Sequence, residues 1–364
     1  MKKILVLVFI QSLFVANALC QTSVTPFVPG ATLEGVNYFL PKTAFRVTVV
    51  AEKTITTPGE LNKFAFRYLR MQDIPTEASV QWKIKEIRID PYGVPDSSKA
   101  YNVKVKSKTL APLVSLTHDG ILLAINAKEA ESQLPEQPRP VAAPAPLNAK
   151  QYLSQEILTA GNSTKMAELC AQEIYDMRDS RNSLIRGEAE NTPKDGQQLK
   201  LMLDELDTQI KALEQMFCGT VQTSTEVFTL NYLPTKETER DILFRFSKHL
   251  GLVDSDDLSG RPIYISIRNT GNLPPRQENQ DAKKSKLSFL PFGKNKKNDK
   301  AVFFNQPARE AITVFDSEST FAETTCSMGQ FGYVEELSGI LFNKKSTIRV
   351  HFHQDNGSIR KLEK

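Results

Sequence analysis

The sequence predicts a mainly β protein with an α-helical hairpin: two antiparallel β domains, sandwich- or barrel-like, separated by a Pro-rich linker and a two-helix antiparallel hairpin. Three observations lead there. Short β-branched and aromatic runs separated by Gly, Pro and Asp clusters fill residues 36–127 and return from Glu226. Residues 131–150 concentrate Pro135, Pro138, Pro140, Pro144 and Pro146. Leu199, Leu203, Leu206, Ile210, Leu213 and Phe217 recur at alternating steps of four and three, which keeps one side of a long helix apolar.

Residues 1–20 have the pattern of a signal peptide. Lys2 and Lys3 form a charged start, residues 4–15 are apolar except for Gln11 and Ser12, and Ala16, Ala18 and Cys20 supply small residues for cleavage. The expected cut follows Cys20 and leaves Gln21. The alternative is a lipoprotein acylated on Cys20, but Leu19 stands where that processing takes a small residue and Asn17 where it usually takes Leu. The apolar stretch is shorter than the roughly twenty residues a spanning helix needs. The expected location is therefore outside the cytoplasm, in the periplasm or at the outer-membrane or cell surface. Of the cysteines only Cys170, Cys218 and Cys326 remain beyond the cut, an odd set that implies no disulfide framework.

The first β domain is expected over residues 21–130. Phe45 opens a β-branched run, and Trp82, Ile84, Glu86 and Arg88 alternate with Lys83, Lys85, Ile87 and Ile89. Thr57-Pro58-Gly59, Pro91-Tyr92-Gly93 and His118-Asp119-Gly120 are expected turns. The proline series makes residues 131–150 a semi-rigid spacer in extended polyproline geometry.

The hairpin is expected over residues 151–222. Its first helix carries Met166, Cys170, Ile174, Met177 and Leu184 on one face; its second is expected to start at Thr192 as cap, with Pro193 at the first helical position. Counted from the turn, Cys170 and Cys218 differ by about 13 Å along the helix axes, beyond the roughly 7 Å a bridge spans, so no bond between them is expected. Arg178, Arg181 and Arg186 with Glu173, Asp176 and Asp179 suggest a salt-bridged helix surface.

The second β domain is expected over residues 223–364, ending in a hairpin around a two-residue Asn356-Gly357 turn. The six residues from Asn37 echo those from Asn231, which a single short match leaves to chance. Within this domain residues 274–300 have no periodicity. Over residues 281–300, Lys283, Lys284, Lys286, Lys294, Lys296, Lys297 and Lys300 oppose only Asp281 and Asp299, so the basic balance of the chain, +4 overall, is local to this loop. Phe289 and Phe292 give the loop an apolar tip. It is either a solvated insertion or a contact for an anionic lipid, a lipopolysaccharide surface or an acidic partner; nucleic acid does not fit the compartment.

His351 and His353 stand two apart on an expected strand, a spacing that lets two imidazoles share a metal if a third ligand arrives. An exposed polar sheet face is the simpler account. Asp254, Asp256 and Asp257 before Gly260 fail the calcium-loop spacing, because Leu258 falls on a ligand position, and read better as a turn. There is no Gly-x-Ser-x-Gly elbow, phosphate-binding loop or His-Glu-x-x-His, and Cys326 has no base placed beside it by sequence. No catalytic residue and no cofactor is expected.

Several stretches together carry a resemblance: Val36-Asn37-Tyr38-Phe39-Leu40-Pro41-Lys42-Thr43, Ile174-Tyr175 through Arg178, Arg181 and Gly187, Leu243-Phe244-Arg245-Phe246-Ser247, Gly251-Leu252-Val253-Asp254, Gln330-Phe331-Gly332 and Leu341-Phe342-Asn343-Lys344. The chain resembles a secreted Bacteroidota domain-of-unknown-function family (DUF 4831) over nearly all of its length after residue 20. The resemblance implies a Gram-negative envelope setting and assigns no activity or catalytic residue. The expectation is a non-catalytic envelope protein whose helical hairpin contacts another envelope protein. A glycan- or peptide-processing enzyme with a site between the β domains is the alternative.

Overall fold

The computed structural model describes residues 22–26, 35–105, 114–190, 192–271, 301–338 and 348–364. Residues 1–20 and 274–300 lie outside these, so the signal peptide, Cys20 and the Lys-rich loop with its lysines, Phe289 and Phe292 have no structural account.

The chain is mainly β. Its elements are β1 (Thr22–Pro26), β2 (Val36–Thr57), α1 (Ala65–Leu69), β3 (Ser79–Val105), β4 (Val114–Leu116), β5 (Leu122–Ile125), α2 (Gln155–Leu158), α3 (Ser163–Arg186), α4 (Gly196–Cys218), β6 (Thr220–Tyr232), β7 (Thr238–Ser247), β8 (Gly251–Val253), β9 (Arg261–Asn269), β10 (Ala301–Phe315), β11 (Thr320–Ser338), β12 (Arg349–Phe352) and β13 (Ile359–Glu363). Among the described residues three antiparallel sheets run in the orders β1-β3-β2-β6, β11-β10-β9-β7-β8 and β13-β12-β5-β4.

The expected division into two successive β domains is not confirmed. β6 pairs with β2 from Phe45↔Tyr232 to Thr57↔Thr220, and β12 pairs with β5 through Val350↔Ile125 and His351↔Ala124. Two of the sheets thus combine strands from both sides of the Pro-rich segment. Alternation tells which face of a strand is buried but not which strand lies beside it.

Three cores hold these layers. Phe45, Val47, Val49 and Ala51 of β2 face Phe244, Ile263, Ile265, Ile267, Ile312 and Val314 across the first two sheets. Farther along the same long strands, Tyr38, Leu40 and Phe304 meet Leu122, Ile125, Val350 and Phe352 of the third sheet. The third core is helical. Ala167, Cys170, Ile174 and Met177 of α3 and Ile210, Leu213 and Phe217 of α4 close over Leu61, Ala65, Leu69 and Ile157. The α4 stripe from Leu206 to Phe217 is thereby covered by the chain itself, while Leu199 and Leu203 stay half-buried.

Several local expectations change. Pro91-Tyr92-Gly93 is no turn but the middle of β3, paired with Phe45, Ala44 and Thr43 of β2. Proline is tolerated because β1 reaches only residues 101–105 of β3, so among the described residues the side away from β2 has no ladder to break at Pro91. The switch of apolar phase between Ile84 and Ile87 marks a bulge: Val50 pairs with Glu86 and Ala51 with Ile84, leaving Lys85 as the extra residue.

The Pro-rich segment lies against the first sheet. Arg46 Nη2 donates to Pro135 O at 2.6 Å, Arg88 Nη2 to Glu136 O at 3.0 Å, and Gln222 Nε2 to Pro144 O at 3.2 Å. Val141 forms an antiparallel bridge with Thr225. The segment is a strap over the first sheet, which its composition did not reveal because the bonds use its carbonyls, and the partners are distant in sequence.

In the hairpin, Asn162 caps α3, and Gly187 ends it in the left-handed conformation at φ 71°. α4 starts at Gly196, capped by Asp195, not at Thr192. The Thr192 hydroxyl instead donates back to Ala189 O, while Asp195 Oδ1 takes the Gln197 N–H. Arg178 and Arg181 reach across to Glu214 at 2.5 Å and Asp207 at 2.6 Å, so they tie the two helices together rather than pairing along their own helix. Cys170, Cys218 and Cys326 are free thiols.

The last hairpin is also wider than expected. β12 and β13 separate after Phe352↔Ile359, and Gly357, at φ 74°, donates to His353 O at 2.8 Å while His353 donates to Ser358 O at 2.8 Å. The Asn356 side chain accepts from Ser358 N and Oγ, which closes a longer loop than a two-residue turn.

Candidate functional site

A cleft of about 620 Å³, open to solvent, forms where three segments distant in sequence meet. One wall is the middle of β3 from Pro91 to Pro95, another the start of the strap from Glu131 to Pro135, and the floor includes Gln354 and Asp355 of the last hairpin loop. The meeting is tight: a Cβ on Gly93 would lie 2.1 Å from Gln354 O, so only glycine admits the loop against β3. Gln354 Oε1 in turn accepts from Ser132 N and Oγ, each at 2.8 Å, and anchors the strap.

Asp119, Glu131 and Asp355 line this cleft, and among the described residues no lysine or arginine does. Burial holds the Asp355 carboxyl above the usual carboxylate range. His118, largely exposed, sits between the other two carboxylates, with Nε2 3.0 Å from Asp119 and Nδ1 3.6 Å from Glu131. Tyr92, Leu134, Pro91, Pro95 and Pro135 add apolar surface. A pocket of this size and lining accommodates a group that is cationic at one end and flat or apolar at the other.

Behind the Asp355 loop is a buried polar knot. The Thr43 hydroxyl donates to Asp355 O at 2.9 Å and accepts from Gly329 N at 3.3 Å; Gln330 exchanges hydrogen bonds with the Thr43 backbone at 2.9 and 2.8 Å. Asn305 Nδ2 donates to Pro41 O at 3.0 Å and Asn356 O at 2.9 Å. This knot fixes the cleft floor.

The two histidines proposed from spacing part company. His351 is buried on β12, with Nδ1 against the Glu129 carboxylate, which also takes Arg360 at 2.6 Å; its Nε2 lies 3.8 Å from Glu363. His353 lies beyond a register shift, half exposed, 4.0 Å from Asp355. Neither lines the cleft, and among the described residues no group of three or more His, Cys, Asp or Glu could hold a metal ion. Asp254 and Asp257 shape a turn, with Asp257 N–H donating to Asp254 O at 3.1 Å and Asp257 Oδ1 accepting from Ser259 N at 2.9 Å.

The thiols are poorly suited to nucleophilic work. Burial pushes Cys170 up to about 11 and Cys326 up to about 12, so both stay protonated near neutral pH.

Sequence reasoning missed Glu310, which is fully buried on β10 with neither carboxyl oxygen hydrogen-bonded. It stands in the apolar phase two residues before Ile312, the only available hint. Burial, and then Glu237, push its carboxyl up to about 6. Since this lies above the unfolded carboxylate value, Glu310 favours the folded state fully below about 4.5 and loses that contribution as pH rises through about 6. Glu310→Gln is expected to be more stable than wild type at pH 8 and to lose that advantage at pH 4.5 in paired urea titrations. A difference that does not vary with pH would refute the assignment.

A family model described as Domain of unknown function (DUF4831) matches residues 34–360, almost all of the chain. The chain belongs to that family. No curated protein and no solved structure matches it. The DUF4831 match takes in β2 through the start of β13, and so every segment that builds the cleft and the knot.

Proposed function

We propose that the protein is an exported, non-catalytic binding component of a Gram-negative cell envelope, and that its acidic cleft engages a cationic segment of an envelope partner. The observation that carries this reading is the convergence of Asp119, Glu131 and Asp355 on one open cleft with no lysine or arginine in its lining among the described residues. The high thiol values and the separation of His351 from the cleft support a binding role over a hydrolytic one. The helical hairpin is a weaker contact candidate than its sequence suggested, because its stripe from Leu206 to Phe217 is already packed on Leu61, Leu69 and Ile157. Export rests on the pattern of residues 1–20.

The test is calorimetric titration with a lysine-rich peptide at low and high salt. Wild type is expected to bind with an affinity that falls as salt rises, and Asp119→Asn with Glu131→Gln to weaken binding at least about tenfold. No binding by wild type, or equal binding by the double variant, removes the cleft as the site.

A further inference from the structure

β6 is the outer strand of the first sheet, paired with β2 along one side without a break in register. On its other side only Thr225 is engaged through its backbone among the described residues: it donates to Val141 O at 2.8 Å and accepts from Val141 N at 3.0 Å. In an unbroken strand the backbone groups of every second residue point the same way. Those of Val227, Thr229 and Asn231 therefore face the open side, beyond the strap.

This stretch lacks the features that protect sheet edges. Val227-Phe228-Thr229-Leu230-Asn231-Tyr232 contains no charge, proline or glycine and is rich in β-branched and aromatic residues. Phe228, Leu230 and Tyr232 pack against the sandwich core, whereas Thr229 and Asn231 are exposed. The strap covers the edge at Thr225 but offers no ladder past it.

We propose that this edge is a homodimer interface in which β6 pairs antiparallel with β6 of a second copy about a two-fold axis at Thr229. An identical strand is the occupant that this uncharged, self-complementary stretch fits. Centred on Thr229, the pairing sets Thr229 opposite its counterpart and Val227 opposite Asn231, using all three open residues in about six backbone hydrogen bonds. It places Phe228 beside Leu230 on the core face, and Glu226 opposite Tyr232 rather than a second glutamate. A register centred on Val227 would need Thr225 and so displace the strap; one centred on Asn231 would run into Pro234.

Sedimentation equilibrium of the purified protein tests this. Wild type is expected to dimerise, and Thr229→Pro to raise the dimer dissociation constant at least tenfold. The Thr229 N–H faces away from β2, so proline leaves the β2 ladder intact. Thr229→Lys supplies a second variant that keeps the backbone donor and adds the charge by which natural edges resist pairing. A monomeric wild type, or variants that dimerise as tightly as wild type, overturns the proposal.

Discussion

Asn305→Asp is expected to cost roughly 4 kcal/mol of stability at neutral pH, a large share of the roughly 5–15 kcal/mol that holds a folded domain together. Asn305 is fully buried on β10, and its amide donates to Pro41 O and Asn356 O, joining the start of β2 to the last hairpin loop. Two carbonyl acceptors require a donor, which fixes the orientation of the amide. Aspartate has the same shape but turns an acceptor toward both carbonyls and brings a charge into a buried site. Each orphaned carbonyl costs about 1–3 kcal/mol, and the charge adds to that. Because the buried carboxyl would titrate above its unfolded value, the penalty should shrink as pH falls and the introduced side chain, once protonated, regains one donor. Urea midpoints at pH 7 and pH 5 measure both effects. A variant within about 1 kcal/mol of wild type at pH 7 would show that the knot does not hold the loop. The knot has little room to adapt, since a Cβ on Gly329 would lie 2.6 Å from Asn305 Nδ2 and from Asn356 O.

Local patterns made the strands, the helical hairpin and its buried Cys170 thiol legible, because periodicity is written into neighbouring residues. Partnership was not, and for a physical reason. The pairing of β6 with β2 joins Tyr232 to Phe45, and the knot joins Pro41 to Asn305 and Asn356; nothing local to any of these residues encodes the others. Pro91-Tyr92-Gly93 was misread because its residue types signal a turn wherever the chain is free. In β3 the same residues serve a strand with one open side and a glycine pressed by Gln354. The cleft was illegible for the same reason: Asp119, Glu131 and Asp355 become a site only when the strap and the last loop meet β3. The strap itself seemed a spacer because prolines are weak ladder formers, yet its carbonyls receive Arg46, Arg88 and Gln222.

Phe217→Ala is expected to cost about 3–5 kcal/mol, the usual consequence of removing a buried aromatic ring from a core that cannot collapse onto the space. Phe217 is fully buried in the last turn of α4, among Leu61, Ala65, Ile174 and Leu213. The backbone around it is pinned. Leu61 N–H donates to Met216 O at 2.7 Å, and Gly219, at φ 73°, turns the chain into β6 where a Cβ would meet Thr57 O at 2.1 Å. These contacts join the helical core to the end of β2, so the helices and the sandwich should unfold together. Trp82, the single tryptophan, reports on the sandwich core it packs against, and far-ultraviolet circular dichroism reports on α3 and α4. In guanidinium titrations of Phe217→Ala the two signals are expected to shift to the same lower midpoint, with Phe217→Leu falling between the variant and wild type. Helical signal lost at lower denaturant than the Trp82 signal would instead make the hairpin a separate unit resting on the β frame. It would also mean that the Met216–Leu61 and Gly219–Thr57 contacts do not couple the two cores.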